Sequence, residues 1–150
     1  MRAALIPTLA VSLACMAGLP APAQESAPDS VLTVEIEIKP GSGNSINPKK
    51  KAQIPVAIMA TSLFDGDDAD FVPWTIDAAS LRFGPAEAKT IHDAGHENDV
   101  DGDGDFDMII HFSTPNTGIS CGDTEAKLTG TTIAGESFEG VDKVKTTGCK

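Results

Sequence analysis

Tyrosine is absent from this 150-residue chain, and six Phe and one Trp are its only aromatic residues. That scarcity argues against a typical carbohydrate-binding module, which stacks sugars on exposed Trp and Tyr rings. Basic residues are scarce too: 11 Lys and Arg stand against 22 Asp and Glu, a formal net charge of −11. A surface of that sign repels nucleic acid and anionic membranes, so neither is an expected partner. Beyond position 23 no apolar run approaches the roughly 20 residues that a membrane-spanning helix needs. Sustained helical periodicity is missing as well, and with it the case for a helical bundle. No H-E-x-x-H pair occurs, and Lys39-Pro40-Gly41-Ser42-Gly43 lacks the Lys-Ser/Thr of a phosphate-binding loop. Nothing assembles a nucleophile, a base and an oxyanion site, so the expectation is a non-enzymatic protein.

Three cysteines are present. Cys15 falls in a leader-like segment: Arg2 gives a short positive start, Ala3 to Leu19 is largely apolar, and Ala21-Pro22-Ala23 is a small-residue cleavage signal. Residues 1–23 are therefore expected to be a signal peptide, which places the mature protein in the periplasm or outside the cell. That leader contains one basic residue and no acidic one, so its removal leaves the remainder still more negative. Cys121 and Cys149 are then an even pair in an oxidising compartment, which predicts one disulfide. Residues 24–31 are polar and Pro-containing, read as a flexible linker, and residues 32–150 as one domain.

Inside that domain the pattern is β throughout. Leu32, Val34, Ile36 and Ile38 alternate with Thr33, Glu35, Glu37 and Lys39, the signature of a half-buried strand. Residues 40–48 hold Gly41, Gly43, Asn44 and Asn47 and read as turns. A second strand is expected over 52–60, with Pro55 facing an edge or a bulge because it has no N–H to donate. Further strands are expected at 81–83, 108–112 and 126–132, then a final pair of segments around Phe138 and over 141–146, with a turn near Gly135 and a short helical turn within 61–77. Six or seven short strands with Gly, Pro and Asn between them fit an all-β fold, an antiparallel β-sandwich of Ig-like or similar type. Most of the seven aromatics are expected in the core, with Trp74 kept open as a surface contact.

The densest chemistry lies in Asp99-Val100-Asp101-Gly102-Asp103-Gly104-Asp105-Phe106-Asp107, followed at once by Met108-Ile109-Ile110. Five carboxylates at alternate positions repel one another by about 1 kcal/mol per close pair even in water. A hard cation reverses the sign, because calcium takes six to eight oxygens in a flexible shell. A D-x-D-x-D-G-x-x-D spacing offers side-chain oxygens from Asp99, Asp101, Asp103 and Asp107 and the backbone carbonyl of Asp105. Gly104 permits the sharp turn. Position twelve is Ile110, not the bidentate Glu of an EF-hand.

The segment Asp99 to Ile110 resembles the calcium loops of FG-GAP (integrin β-propeller) repeats and, more loosely, dockerin and thrombospondin type 3 loops. The resemblance implies an ion site leading into a strand. A broader one rests on Ile38-Lys39-Pro40-Gly41-Ser42, Asn44-Ser45-Ile46-Asn47-Pro48, Ile54-Pro55-Val56-Ala57-Ile58, the aspartate loop, and Gly122-Asp123-Thr124-Glu125-Ala126 with Leu128-Thr129-Gly130. These are similar to a β domain of exported bacterial proteins that carries no assigned activity, which implies export and ion binding but no reaction.

Two weaker clusters compete. His92, His96 and Glu97 are candidate donors behind the calcium loop, or an alternative transition-metal site. His111, between Ile110 and Phe112 in a strand, is expected to make a structural hydrogen bond. Asp65-Gly66-Asp67-Asp68-Ala69-Asp70 fits no loop template and reads as a solvated acidic loop. Asp99-Val100-Asp101-Gly102 also matches the D-x-D-G start of haloacid-dehalogenase phosphatases, but His96-Glu97-Asn98 precedes it where a buried apolar strand is required. The expected function is a secreted, calcium-binding structural or binding module. A calcium-dependent glycan or protein adhesin is the first alternative, and a metal-dependent hydrolase using His92 and His96 the second.

Overall fold

The computed structural model describes residues 30–150; the expected signal peptide, and all of the expected linker but Ser30 and Val31, lie outside the described residues. The described chain forms ten strands: β1 (Leu32–Thr33), β2 (Ile36–Ile38), β3 (Ser45–Ile46), β4 (Gln53–Ile58), β5 (Arg82–Phe83), β6 (His96–Asn98), β7 (Asp107–Ser113), β8 (Glu125–Thr131), β9 (Ser137–Lys143) and β10 (Lys145–Thr146). Helical structure is confined to single 3₁₀ turns, one of them at Pro73–Thr75 within the irregular stretch. None of it is long and apolar enough to cross a membrane.

Two four-stranded sheets carry the fold, in the orders β2-β4-β7-β6 and β1-β9-β8-β5, with a separate β3-β10 pair. The all-β expectation holds. Purely antiparallel pairing does not, because β1–β9 and β3–β10 run parallel. Each of these pairings is two residues long and involves a strand near one end of the described chain. No hairpin joins the partners, so nothing forces them to run in opposite directions.

Alternation along residues 32–38 marks one continuous face, yet the chain changes sheets in its middle. Val34 N–H donates to the Glu139 carbonyl of β9 at 2.9 Å, while the Glu35 carbonyl accepts from Met59 N–H at 3.0 Å, just past β4. Both sheets feed one apolar cluster, so a strand can cross between them without turning its side chains over. Ile36, Ile38, Ile54, Val56, Ile58, Met108, Ile110 and Phe112 enter it from one sheet, and Phe83, Leu128 and Phe138 from the other. Phe83 and Phe112 meet with ring centroids 4.9 Å apart.

Pro55 sits in a strand paired on both sides, and the sheet tolerates it for a local reason. The Pro55 carbonyl accepts from Lys39 N–H at 2.8 Å. Its nitrogen faces the same side, where β2 has already ended at Ile38 and the chain leaves through the positive φ of Lys39. No ladder donor is needed there.

Asp142 closes the far end of β2. Its carboxylate accepts from Ile38 N–H and from Asn44 Nδ2, each at 2.8 Å, so a charged side chain of β9 replaces the missing strand partner. Cys121 and Cys149 form the expected disulfide, with Cα atoms 5.7 Å apart. It fastens the segment after β10 to the loop before β8.

The crossing between sheets depends on Gly140. A Cβ at that position would lie 2.7 Å from Ile36 Cγ2 and 2.8 Å from the Val34 carbonyl oxygen, and backbone cannot step aside as a side-chain tip can. Gly140→Ala is expected to destabilise the protein by about 1–3 kcal/mol, the usual range for overpacking. Urea denaturation measures it; unchanged stability would show that the crossing tolerates a methyl group.

Candidate metal site in the aspartate loop

The aspartate loop connects edge strand β6 to β7. The last pair of their ladder is Asn98 opposite Asp107, so residues 99–106 form the hairpin connection. Within it three of the four carboxylates hold the backbone two or three residues ahead. Asp99 Oδ1 accepts from Gly102 N–H at 2.7 Å, Asp101 Oδ1 from Asp103 N–H at 3.2 Å, and Asp103 Oδ1 from Asp105 N–H at 2.8 Å. These are Asx turns in series, which wind the chain so that carboxylates converge on its inside. Gly102 and Gly104 take φ of +84° and +101°, conformations that side chains rarely adopt.

Asp107 anchors the whole arrangement and is only 1% exposed. Its Oδ1 accepts from Ala60 N–H, just past β4, at 2.8 Å, and its Oδ2 from Val100 N–H at 2.7 Å. One carboxylate thus ties the loop's start to the end of a central strand. Carboxylate oxygens of Asp99, Asp101 and Asp107 lie within 4.8 Å of one another. Oxygens around a single calcium ion, each about 2.3–2.6 Å from it, fall within that mutual spacing. The two hydrogen bonds to Asp107 leave lone pairs on both oxygens for an ion. Among the described residues this is the only group of three acidic, His or Cys side chains drawn so close.

The loop is charged against itself. Burial, and then the charges of Asp101 and Asp103, push the Asp107 carboxyl above the ordinary 3.8, outweighing the opposing pull of its two amide donors. Asp105 is raised too, by partial desolvation and by Asp103, Asp65, Asp101 and Asp99. Asp65 belongs to the other acidic stretch, so the two acidic segments face each other across one end of the fold. There Asp67 Oδ2 accepts from Ser62 N–H at 2.9 Å and Asp70 Oδ1 from Leu63 N–H at 2.7 Å, local capping that the sequence pattern did not reveal.

Not every expected donor enters the cluster. The side chains of Asp103 and Asp105 stand outside the three-carboxylate group, which leaves Asp105 the carbonyl role its spacing assigned. His96 and Glu97 are neighbours on edge strand β6, opposite Ile109 and Met108, and so point to opposite faces. His96 lies against His111, with ring centroids 5.8 Å apart, so His111 is a neighbour of the second cluster. Phe64 and Phe106, 99% and 59% exposed, are not core residues. They line a shallow groove with Asp70, Phe71, Val72 and Asp105. Trp74, left open between core and surface by the sequence, is 38% exposed and lies beside exposed Ile133.

Comparison with protein-family models, with curated proteins and with solved structures returns no match to this chain.

The raised Asp105 carboxyl gives a sign that can be checked. A group that binds its proton more readily in the folded state than in the unfolded chain costs stability once ionised, so the penalty grows as pH rises above 3.8. Asp105→Asn removes that charge and keeps the backbone carbonyl. In chelator it is expected to melt above the parent protein at neutral pH, and the gap should close as pH falls through 3.8. Equal melting temperatures at neutral pH would mean that the repulsion is fully screened.

Proposed function

We propose that this protein is an exported, calcium-binding, non-enzymatic module in which the ion orders the loop from Asp99 to Asp107. One observation carries the reading: three carboxylates from a loop only nine residues long turn their oxygens to a common point, with Asp107 buried and fixed from both sides. Without a cation this placement concentrates negative charge where burial already disfavours it. With one, Asp99, Asp101 and Asp107 supply carboxylate oxygens, the Asp105 carbonyl another, and Asp103 shapes the winding. The bond gained is ionic and local, and its effect is to pin edge strand β6 to β7.

The reading extends to fold and location. Two four-stranded sheets that feed one apolar cluster support an Ig-like β-sandwich. Residues 1–23 act as a signal peptide, delivering the domain to the periplasm or beyond, and the disulfide between Cys121 and Cys149 is suited to that compartment. Calcium is abundant outside the cell. At free calcium 100-fold above Kd, mass action adds about 2.7 kcal/mol to stability.

A second reading, a calcium-dependent adhesin, is favoured by the position of Phe64 and Phe106. Both are exposed aromatic rings beside the loop, on a groove that also contains Asp70 and Asp105. An extracellular glycan or protein seated there would touch the ordered loop directly. Binding on a glycan array that disappears with chelator would favour this reading over purely structural use of the ion.

Calorimetry tests the main reading. Calcium is expected to bind with measurable heat and to raise the melting temperature, and excess chelator to reverse both. Asp101→Ala is expected to weaken binding by at least about tenfold, since it removes a direct ligand. No heat of binding together with an unchanged melting temperature would reject calcium, and full affinity in Asp101→Ala would reject this ligand set.

A further inference from the structure

Two of the three histidines of the chain, His96 and His111, meet on the outer face of the β2-β4-β7-β6 sheet. His96 is paired with Ile109 in the β6–β7 ladder, and His111 lies two residues further along β7, so both imidazoles leave the sheet on the same side. Diagonal neighbours of this kind are within reach of ring side chains. Here the rings stand edge to face, centroids 5.8 Å apart and planes at 76°. Ile91 N–H donates to the His111 carbonyl at 3.0 Å, and Thr90 bridges to Phe112, so the loop bearing His92 is fastened to β7 at His111 itself.

We infer that His96 and His111 form a solvent-open site for a borderline divalent transition-metal ion such as zinc, separate from the aspartate loop. The spacing suits it: two imidazoles whose nitrogens each lie about 2 Å from a tetrahedral ion hold their ring centroids about 5 Å apart. A small rotation of the exposed His96 ring closes the difference from 5.8 Å. Donor chemistry separates the two sites, since imidazole selects zinc, copper and nickel while carboxylate and carbonyl oxygens suit calcium. A solvent-open edge leaves coordination positions for water or for a donor from another molecule.

Zinc chloride titrated into the calcium-saturated protein tests the assignment, with calorimetry and histidine ring NMR signals as readouts. One zinc per chain is expected to bind saturably, shifting or broadening the ring resonances of His96 and His111. His96→Ala and His111→Ala should each weaken binding by at least about tenfold, the lower bound for losing even an outer partner of a metal site. Asp101→Ala, which removes a proposed calcium ligand, should leave zinc affinity intact. Unmoved ring signals overturn the inference whether or not the His111 variant folds. So does wild-type zinc affinity in His96→Ala, or zinc binding that vanishes in Asp101→Ala.

Discussion

A buried carboxylate bonded to two backbone amides from distant parts of the chain is the joint on which this architecture turns. Asp107 opens β7, yet its two oxygens reach Ala60 beyond β4 and Val100 in the connecting loop. Hydrogen bonds to a charged acceptor are worth roughly 1.5–3 kcal/mol each, and an amide left unpaired at this depth costs a similar amount. The geometry of the acidic loop is therefore set by the end of the sheet. Because β4 and β7 form the longest ladder of their sheet, with six paired positions, the loop inherits a rigid base. That rigidity makes convergence of Asp99, Asp101 and Asp107 a property of the fold, although the other turns of the loop are exposed.

The same constraint explains why edge strand β6 is the chemically active part of the sheet. It is three residues long, all of them exposed, and pairs only with β7. A strand so short gains little from its ladder and from apolar burial. Its two ends are where candidate metal donors concentrate: aspartates immediately after Asn98, an imidazole at His96. An ion at either end would cross-link β6 to β7 through side chains, supplying what the backbone ladder lacks. Hard oxygen donors at one end and nitrogen donors at the other would let two different ions do so without competing.

Much of this was legible in the sequence, and the limits have identifiable causes. The alternation of Val34, Ile36 and Ile38 correctly gave the buried face, because that face is common to both sheets. It was blind to the change of sheet, since only the partners Glu139 and Met59 distinguish the halves. The aspartate spacing located the candidate site, but Asp107 looks like its neighbours until the Ala60 amide, 47 positions away, is brought to it. His111 is read as an isolated strand residue because its contact with His96 runs diagonally between strands. Phe64 and Phe106 were counted toward the core on residue type, whereas both lie in acidic loops that hold them in solvent. For Phe64 the local signal was available: Asp65, Asp67, Asp68 and Asp70 follow it directly, with no apolar residue in alternation.

The approach of the two acidic segments sharpens the consequence of ion binding. Asp65 raises the Asp105 carboxyl across a gap that no sequence proximity suggests. A positive charge placed among Asp99, Asp101 and Asp107 would therefore act on the segment around Asp65 as well, and less so as salt rises. The segments meet along the groove bordered by Phe64 and Phe106, so its shape depends on the charge state of both. A cation in the aspartate loop would therefore act on that groove as well as on the loop itself, linking the loop's stability to an exposed aromatic surface through electrostatics.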